Sequence, residues 1–206
     1  MSSSLSVYLL DVAATRALVG SRDEQLLTLI RDESADDLVR DDDYFQDEIA
    51  QGAPTSYEAL QAVVHGGPFS KDSEHAFQYG YAYMRLCELT GSFLDNDSFT
   101  PHRGDWLSTV DQGLKALGIT AVSVESFSDG DLPGPLPYTV TPGCGEWTSD
   151  QIARALEQFE TTRQAVDAAG QAPPLDDEVV EAVTQCLGWM RYAAARPGLG
   201  VIGFRS

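Results

Sequence analysis

The sequence predicts an α+β fold, in which a small sheet of about three strands is covered by several helices. Apolar runs suited to buried strands occur near residues 5–10, 119–125 and 199–204. Between them, apolar residues recur every three or four positions, which is the period of helices that bury one face. Because the outer two strands lie at opposite ends of the chain, we expect one sheet to unite residues 1–206 in a single domain.

Helix signals fill the segment that follows the first strand. Capping boxes, in which Ser or Thr is followed three residues later by Glu, predict helices that begin at Ser21 and Thr55. Between these two, the spacing of Leu38, Phe45 and Ile49 predicts another helix.

The segment 77–89 is apolar almost all round, which predicts a central, buried helix. Gly80 lies inside it, and glycine there costs about 1 kcal/mol relative to alanine, so we expect a close neighbour at this position. A loop over 92–105 follows. Asp105 can cap the next helix, which stops at Gly118.

The second half begins with the alternating apolar and polar residues of the predicted strand at 119–125. Residues 129–147 contain four Pro and four Gly, which predicts a long loop. A split into two domains at this loop is the alternative to a single domain. Helices are expected from Thr148 and from Asp176 or Asp177, before the closing strand.

Charge is the most unusual property of the chain. Thirteen Lys and Arg oppose 32 Asp and Glu, which gives a formal net charge of −19. Such a surface repels phosphate backbones and anionic lipids, so we expect neither nucleic acid nor a membrane as partner. It attracts basic proteins, although an acidic surface can also serve solubility alone.

The cysteines and the N-terminal segment predict a cytoplasmic protein. Cys87, Cys144 and Cys186 are far apart and form no CxxC pair, which is typical of free thiols in a reducing compartment. The first residues lack the basic and apolar regions of a signal peptide, and no window is apolar enough to span a membrane.

The densest acidic run lies between residues 32 and 48, where nine acids accompany one base, Arg40. Apolar residues interrupt the run, so it predicts an amphipathic helix with an acidic outer face. The acids expected to contact a basic partner are Asp36, Asp37, Asp41, Asp42 and Asp43.

Four short stretches carry a family resemblance: Val63-Val64-His65-Gly66-Gly67, Gln78-Tyr79-Gly80-Tyr81, Phe93-Leu94-Asp95 and Arg103-Gly104-Asp105-Trp106-Leu107. On these, most of the chain resembles an uncharacterised actinobacterial family of domains of unknown function. The opening strand–helix and closing helix–strand layout is similar to that of the YfbM-like family, also of unknown function. Both resemblances imply a bacterial α+β protein, and neither supplies catalytic residues.

Polar and aromatic side chains that bracket the buried helix predict a ligand pocket around residues 65–106. Arg103 could clamp an anion, because its guanidinium forks onto carboxylate or phosphate. The alternative is an internal network in which Arg103 pairs with Asp95 or Asp97. The candidate ligand-binding residues are His65, His75, Tyr79, Asp95, Arg103, Asp105 and Trp106.

Motifs for metal, cofactor or nucleophilic chemistry are missing from the sequence. The histidines and cysteines lack CxxC or HExxH spacing, so we expect no metal or cofactor, although His65, His75 and Asp95 could cluster. Cys144 lies in a Gly-Cys-Gly sequence expected to be a flexible turn, and its thiol would need a nearby histidine to become a nucleophile.

Two functions therefore remain open. The first is a cytoplasmic protein-interaction module, of the immunity-protein or antitoxin kind, that binds a basic partner through its acids. The alternative is a small enzyme or ligand-binding protein that uses the pocket around residues 65–106. A purely structural subunit is a third reading, and the sequence leaves open whether the chain is an enzyme.

Overall fold

The computed structural model describes residues 2–169 and 174–206, and these have the predicted α+β architecture. The α-helices are α1 (Val12–Arg16), α2 (Glu24–Glu33), α3 (Ala35–Tyr44), α4 (Gln46–Ala50), α5 (Ser56–His65), α6 (Ala76–Thr90), α7 (Trp106–Ala116), α8 (Ser126–Asp129), α9 (Ser149–Ala169) and α10 (Asp177–Ala194). The strands are β1 (Ser2–Ser3), β2 (Leu5–Leu10), β3 (Ser92–Phe93), β4 (His102–Arg103), β5 (Gly143–Trp147) and β6 (Gly200–Arg205).

The strands form a four-stranded sheet of order β3-β2-β6-β5 and a two-stranded sheet of β1 and β4. The predicted strands near 5–10 and 199–204 are confirmed as β2 and β6. They are antiparallel, in a register that pairs Leu5 with Arg205 and Leu10 with Gly200. Both are buried along most of their length, which explains why they read as continuous apolar runs.

The predicted strand at 119–125 is wrong. This segment is an irregular connection, although Ile119, Val122 and Val124 are buried as the alternation suggests. Side chains, rather than a neighbouring strand, satisfy its backbone. Asp111 Oδ1 accepts a hydrogen bond from the N–H of Val124, and Gln158 Oε1 accepts from two successive N–H groups, at Thr120 and Ala121.

The predicted loop over 129–147 is too long, because its last five residues form β5 beside β6. The Gly-Cys-Gly sequence is therefore a buried strand and not a flexible turn. Its glycines permit close packing: a Cβ at Gly145 would clash with the carbonyl oxygen of Ser126 in α8. The predicted loop at 92–105 likewise includes the short strands β3 and β4.

Contacts divide the chain into two compact units. The first comprises Met1–Val12, Gly91–Gly130 and Cys144–Ser206. Its core packs one face of the main sheet, which carries Leu5, Val7, Leu9 and Val201, against α7, α9 and α10. At its centre the ring of Trp147 stacks on Phe127 with 4.7 Å between centroids, and its Nε1 donates to the carbonyl oxygen of Ser123.

The second unit comprises Ala13–Thr90 and Asp131–Gly143. Helices α5 and α6 pack against each other, and the predicted Thr55–Glu58 capping box is present at the start of α5. Gly80 has the close neighbour that its place in α6 predicts: a Cβ there would lie 2.8 Å from the Pro142 ring. That residues 1–206 form a single domain stays a prediction.

Candidate functional site

The predicted ligand-binding residues of the second unit each have a partner within that unit. His65 Nε2 lies 2.8 Å from Glu24 Oε1, and His75 Nδ1 lies 3.1 Å from Ser70 Oγ. The buried Tyr79 hydroxyl accepts a hydrogen bond from the backbone N–H of Ser70. His75 and Tyr79 therefore both contact Ser70 and stabilise the turn that precedes α6.

The other predicted ligand-binding residues belong to the first unit. Trp106 Nε1 donates to the carbonyl oxygen of Ser98, and the Asp95 carbonyl oxygen accepts from a tryptophan of α10. Asp105 precedes α7 but its side chain makes no capping bond there. The exposed Arg103 side chain forms no ion pair within the described residues, neither with Asp95 nor with Asp97. That all seven residues form one pocket stays a prediction.

Three of the five acids predicted to bind a partner make contacts within the fold. The guanidinium of Arg85, only 17% exposed, lies 2.8 Å from Asp41 Oδ2 and 3.5 Å from Asp37 Oδ2. Asp42 Oδ1 accepts a hydrogen bond of 2.7 Å from the N–H of Ser56, at the start of α5. These carboxylates hold α3 on α5 and α6.

The remaining two, Asp36 and Asp43, belong to an outward surface that also includes Glu33, Val39 and Tyr44, and that we call the acidic face. The three carboxylates are exposed and make no hydrogen bond or ion pair with the described part of the chain. Asp36, Val39 and Asp43 lie on one side of α3, at positions i, i+3 and i+7. Val39 is 60% exposed and Tyr44 is 79% exposed, so the acidic face also presents apolar surface.

A separate groove of about 650 Å³ lies in the first unit, between α10 and the loop that follows β3. We call it the α10 groove. It is lined by Phe93, Leu94, Asp95, Ser98, Val180, Glu181, Thr184, Gln185, Gly188, Trp189 and Tyr192.

Two hydrogen bonds fix the loop wall of the α10 groove onto the helix. Trp189 Nε1 donates to the carbonyl oxygen of Asp95 at 2.6 Å, and Gln185 Oε1 accepts from the N–H of Ser98 at 3.1 Å. The carboxylates of Asp95 and Glu181 make no hydrogen bond or ion pair with the residues that the structure describes. The groove is thus a rigid, mainly apolar surface with two negative charges.

Gly188 gives the α10 groove its depth. It lies in the middle of α10, where glycine costs about 1 kcal/mol relative to alanine. A Cβ placed on Gly188 would have no heavy atom within 4 Å, so close packing does not explain the glycine. Its effect is to leave open the space between Thr184 and Tyr192.

Sequence reasoning missed this groove because the predicted pocket lay around residues 65–106, whereas α10 forms one wall of the groove and its Val180 is 45% exposed. A signal was present: Val180, Thr184, Gly188 and Tyr192 follow one another at four-residue intervals. A glycine in such a row marks an open helix face.

The three cysteines are free and buried, which argues against a nucleophilic role. Burial, with a further contribution from the charge of Asp111, raises the pKa of the Cys186 thiol well above its usual range. Thiolate is the reactive form, so a buried thiol of raised pKa is inert.

We expect a disulfide reagent such as dithionitrobenzoate to label none of these thiols within minutes at pH 8 in the folded protein. All three should react once the chain is unfolded in guanidinium chloride. Rapid labelling of Cys144 in the folded state, located by peptide mass spectrometry, would contradict its burial in β5.

Among the residues that the structure describes, no three His, Cys, Asp or Glu side chains are grouped as metal ligands would be. Nor does any described helix combine the length and the hydropathy needed to cross a membrane.

A family model for a domain of unknown function matches residues 1–206. The prediction of membership in a family of unknown function is thereby confirmed, while the actinobacterial origin and the YfbM-like layout stay predictions. No curated protein and no solved structure matches the chain.

Proposed function

The chain belongs to the family described as Domain of unknown function (DUF7691), which brings no activity with it, and we propose that it is a protein-interaction module that binds a basic partner through the acidic face. One observation carries the proposal. The carboxylates of Glu33, Asp36 and Asp43 stay unpaired while neighbouring acids are used inside the fold.

Complementary charge steers association and selects partners, and exposed apolar groups supply contact area. The acidic face offers both, because Val39 lies on the same side of α3 as Asp36 and Asp43, and Tyr44, which follows Asp43, is 79% exposed. The partner class that fits is a basic protein with an apolar patch. A bacterial immunity protein or antitoxin that captures a basic toxin in the cytoplasm is the specific form we propose, and the free cysteines are in keeping with that compartment.

The test compares two variants of equal charge. Glu33→Gln, Asp36→Asn and Asp43→Asn together neutralise the acidic face. The control variant carries Asp150→Asn, Glu157→Gln and Glu178→Gln, which neutralise three exposed acids of the other unit. Each tagged protein is used to capture partners from lysate of its source organism at low and high salt, and the captured proteins are quantified by mass spectrometry.

We expect a basic protein on the wild type and on the control variant at low salt, released at high salt because the attraction is screened. The acidic-face variant should retain at least about threefold less of it, since each of the three exposed charge pairs contributes about 0.2–1 kcal/mol. Calorimetry with the purified partner then measures the same ratio. Equal capture by both variants, or capture of no basic protein, would rule out the acidic face as the binding surface.

A further inference from the structure

We propose that the α10 groove is a binding site for a small organic cation, a molecule with an apolar or aromatic body and one protonated amine. The site lies in the first unit and does not rest on the proposed function of the acidic face.

The size and lining of the groove fit a small molecule. Its volume of about 650 Å³ is within the roughly 300–1,000 Å³ usual for ligand pockets. Phe93 is 59% exposed and Tyr192 is 45% exposed, so two aromatic rings at the groove remain in contact with water. A flat apolar body placed against them would remove that surface from water.

The charges of the groove select a cation. Asp95 and Glu181 carry unpaired carboxylates, and no Lys or Arg is among the residues that line the groove. These carboxylates would attract an ammonium group in the groove, whereas they would repel an anion. One face of the Tyr192 ring is covered by Arg196, whose Cζ lies 3.6 Å from the ring centroid, so we place the ammonium group at the carboxylates and not on this ring.

Gly188 supplies an observation independent of charge. The groove walls are fixed by the hydrogen bonds of Trp189 and Gln185, so the groove is a preformed feature. Gly188 forms the floor of the groove. At this helix position alanine would be more stable, and a Cβ would meet no heavy atom within 4 Å. Close packing does not explain Gly188, whereas a need to leave space for a ligand does.

The first measurement titrates the full chain, labelled with nitrogen-15, with three probes of one shape. Tryptamine is a cation, indole-3-ethanol is neutral and indole-3-propionate is an anion. We expect tryptamine to shift the amide signal of Gly188 and the indole N–H signal of Trp189. It should bind about fivefold more tightly than indole-3-ethanol, with indole-3-propionate weakest.

Two variants separate charge from shape. Asp95→Asn with Glu181→Gln should abolish the preference for the cation and leave the weak binding of indole-3-ethanol. Gly188→Leu should fill the groove and weaken tryptamine about tenfold or more, without lowering the thermal midpoint, because leucine is the better helix former.

Three results would overturn the proposal. The probes could bind with equal affinity, tryptamine could shift signals only outside the groove or none at millimolar concentration, or Gly188→Leu could bind tryptamine as the wild type does. Gly188→Ala serves as the stability control, because it adds one methyl group and should raise the thermal midpoint.

Discussion

Replacement of Trp147 by alanine should lower the free energy of unfolding of the first unit by about 3–5 kcal/mol, measured by urea denaturation. The side chain is 1% exposed, stacks on Phe127 and lies 6.1 Å from Trp189 between ring centroids. Its removal leaves a large cavity that the neighbouring rings cannot fill, and it deletes the hydrogen bond to Ser123. This loss is a large fraction of the roughly 5–15 kcal/mol that stabilises a typical domain.

Trp147→Phe is the matched control. It keeps an aromatic ring against Phe127 but cannot donate to the Ser123 carbonyl oxygen. That oxygen still accepts from Ser126 Oγ, so a buried group is not left unpaired. We expect a loss of about 1–2 kcal/mol, less than for alanine. A loss for alanine no larger than for phenylalanine would show that Trp147 is not central to the core.

Replacement of Arg85 by methionine should lower the free energy of unfolding by about 2 kcal/mol, because it removes a base from a cluster of acids in a protein that already has a large excess of acids. Methionine keeps the aliphatic length, but Asp41 and Glu88 then lose their counter-charge, while Asp37 keeps Arg40, so the three carboxylates repel one another more strongly. The expected loss lies between those of exposed and buried ion pairs, because the side chain is 17% exposed. Urea denaturation at about 0.05 M and about 0.5 M salt should show the loss decreasing, since salt screens the repulsion.

Arg40→Met removes the same charge from the same acidic neighbourhood and is the control for Arg85. Arg40 is 75% exposed and pairs only with Asp37 among the described residues, so it should change the free energy of unfolding by less than about 0.5 kcal/mol. Equal effects of the two replacements would mean that the position of Arg85 on α6, where it faces Asp37 and Asp41 of α3, adds nothing to the free energy of unfolding.

Local signals explain what the sequence could predict. The capping box at Thr55 and the apolar runs of β2 and β6 depend on neighbouring residues, and all three occur in the structure. Gly80 was expected to need a close neighbour, but the identity of that neighbour, Pro142, depends on folding.

Distant partners explain what the sequence could not predict. The alternation at 119–125 correctly indicates which side chains are buried. The backbone N–H groups there, however, donate to the side chains of Asp111 and Gln158 instead of to a neighbouring strand. Likewise, Arg85 neutralises acids that lie more than a helix away in sequence. The α10 groove joins the loop after β3 to a helix near the C-terminus, so neither segment alone reveals it.

The pairing of β2 with β6 has a consequence during synthesis. The ribosome makes β2 well before β6, the strand that covers its edge, because residues 11–199 lie between the two strands. Until then the apolar residues of β2 have no final partner on that side, and they are open to aggregation or to chaperone binding. The whole of the second unit, Ala13–Thr90 and Asp131–Gly143, is synthesised in this interval. Closure of the main sheet therefore awaits the synthesis of all the residues between its two central strands.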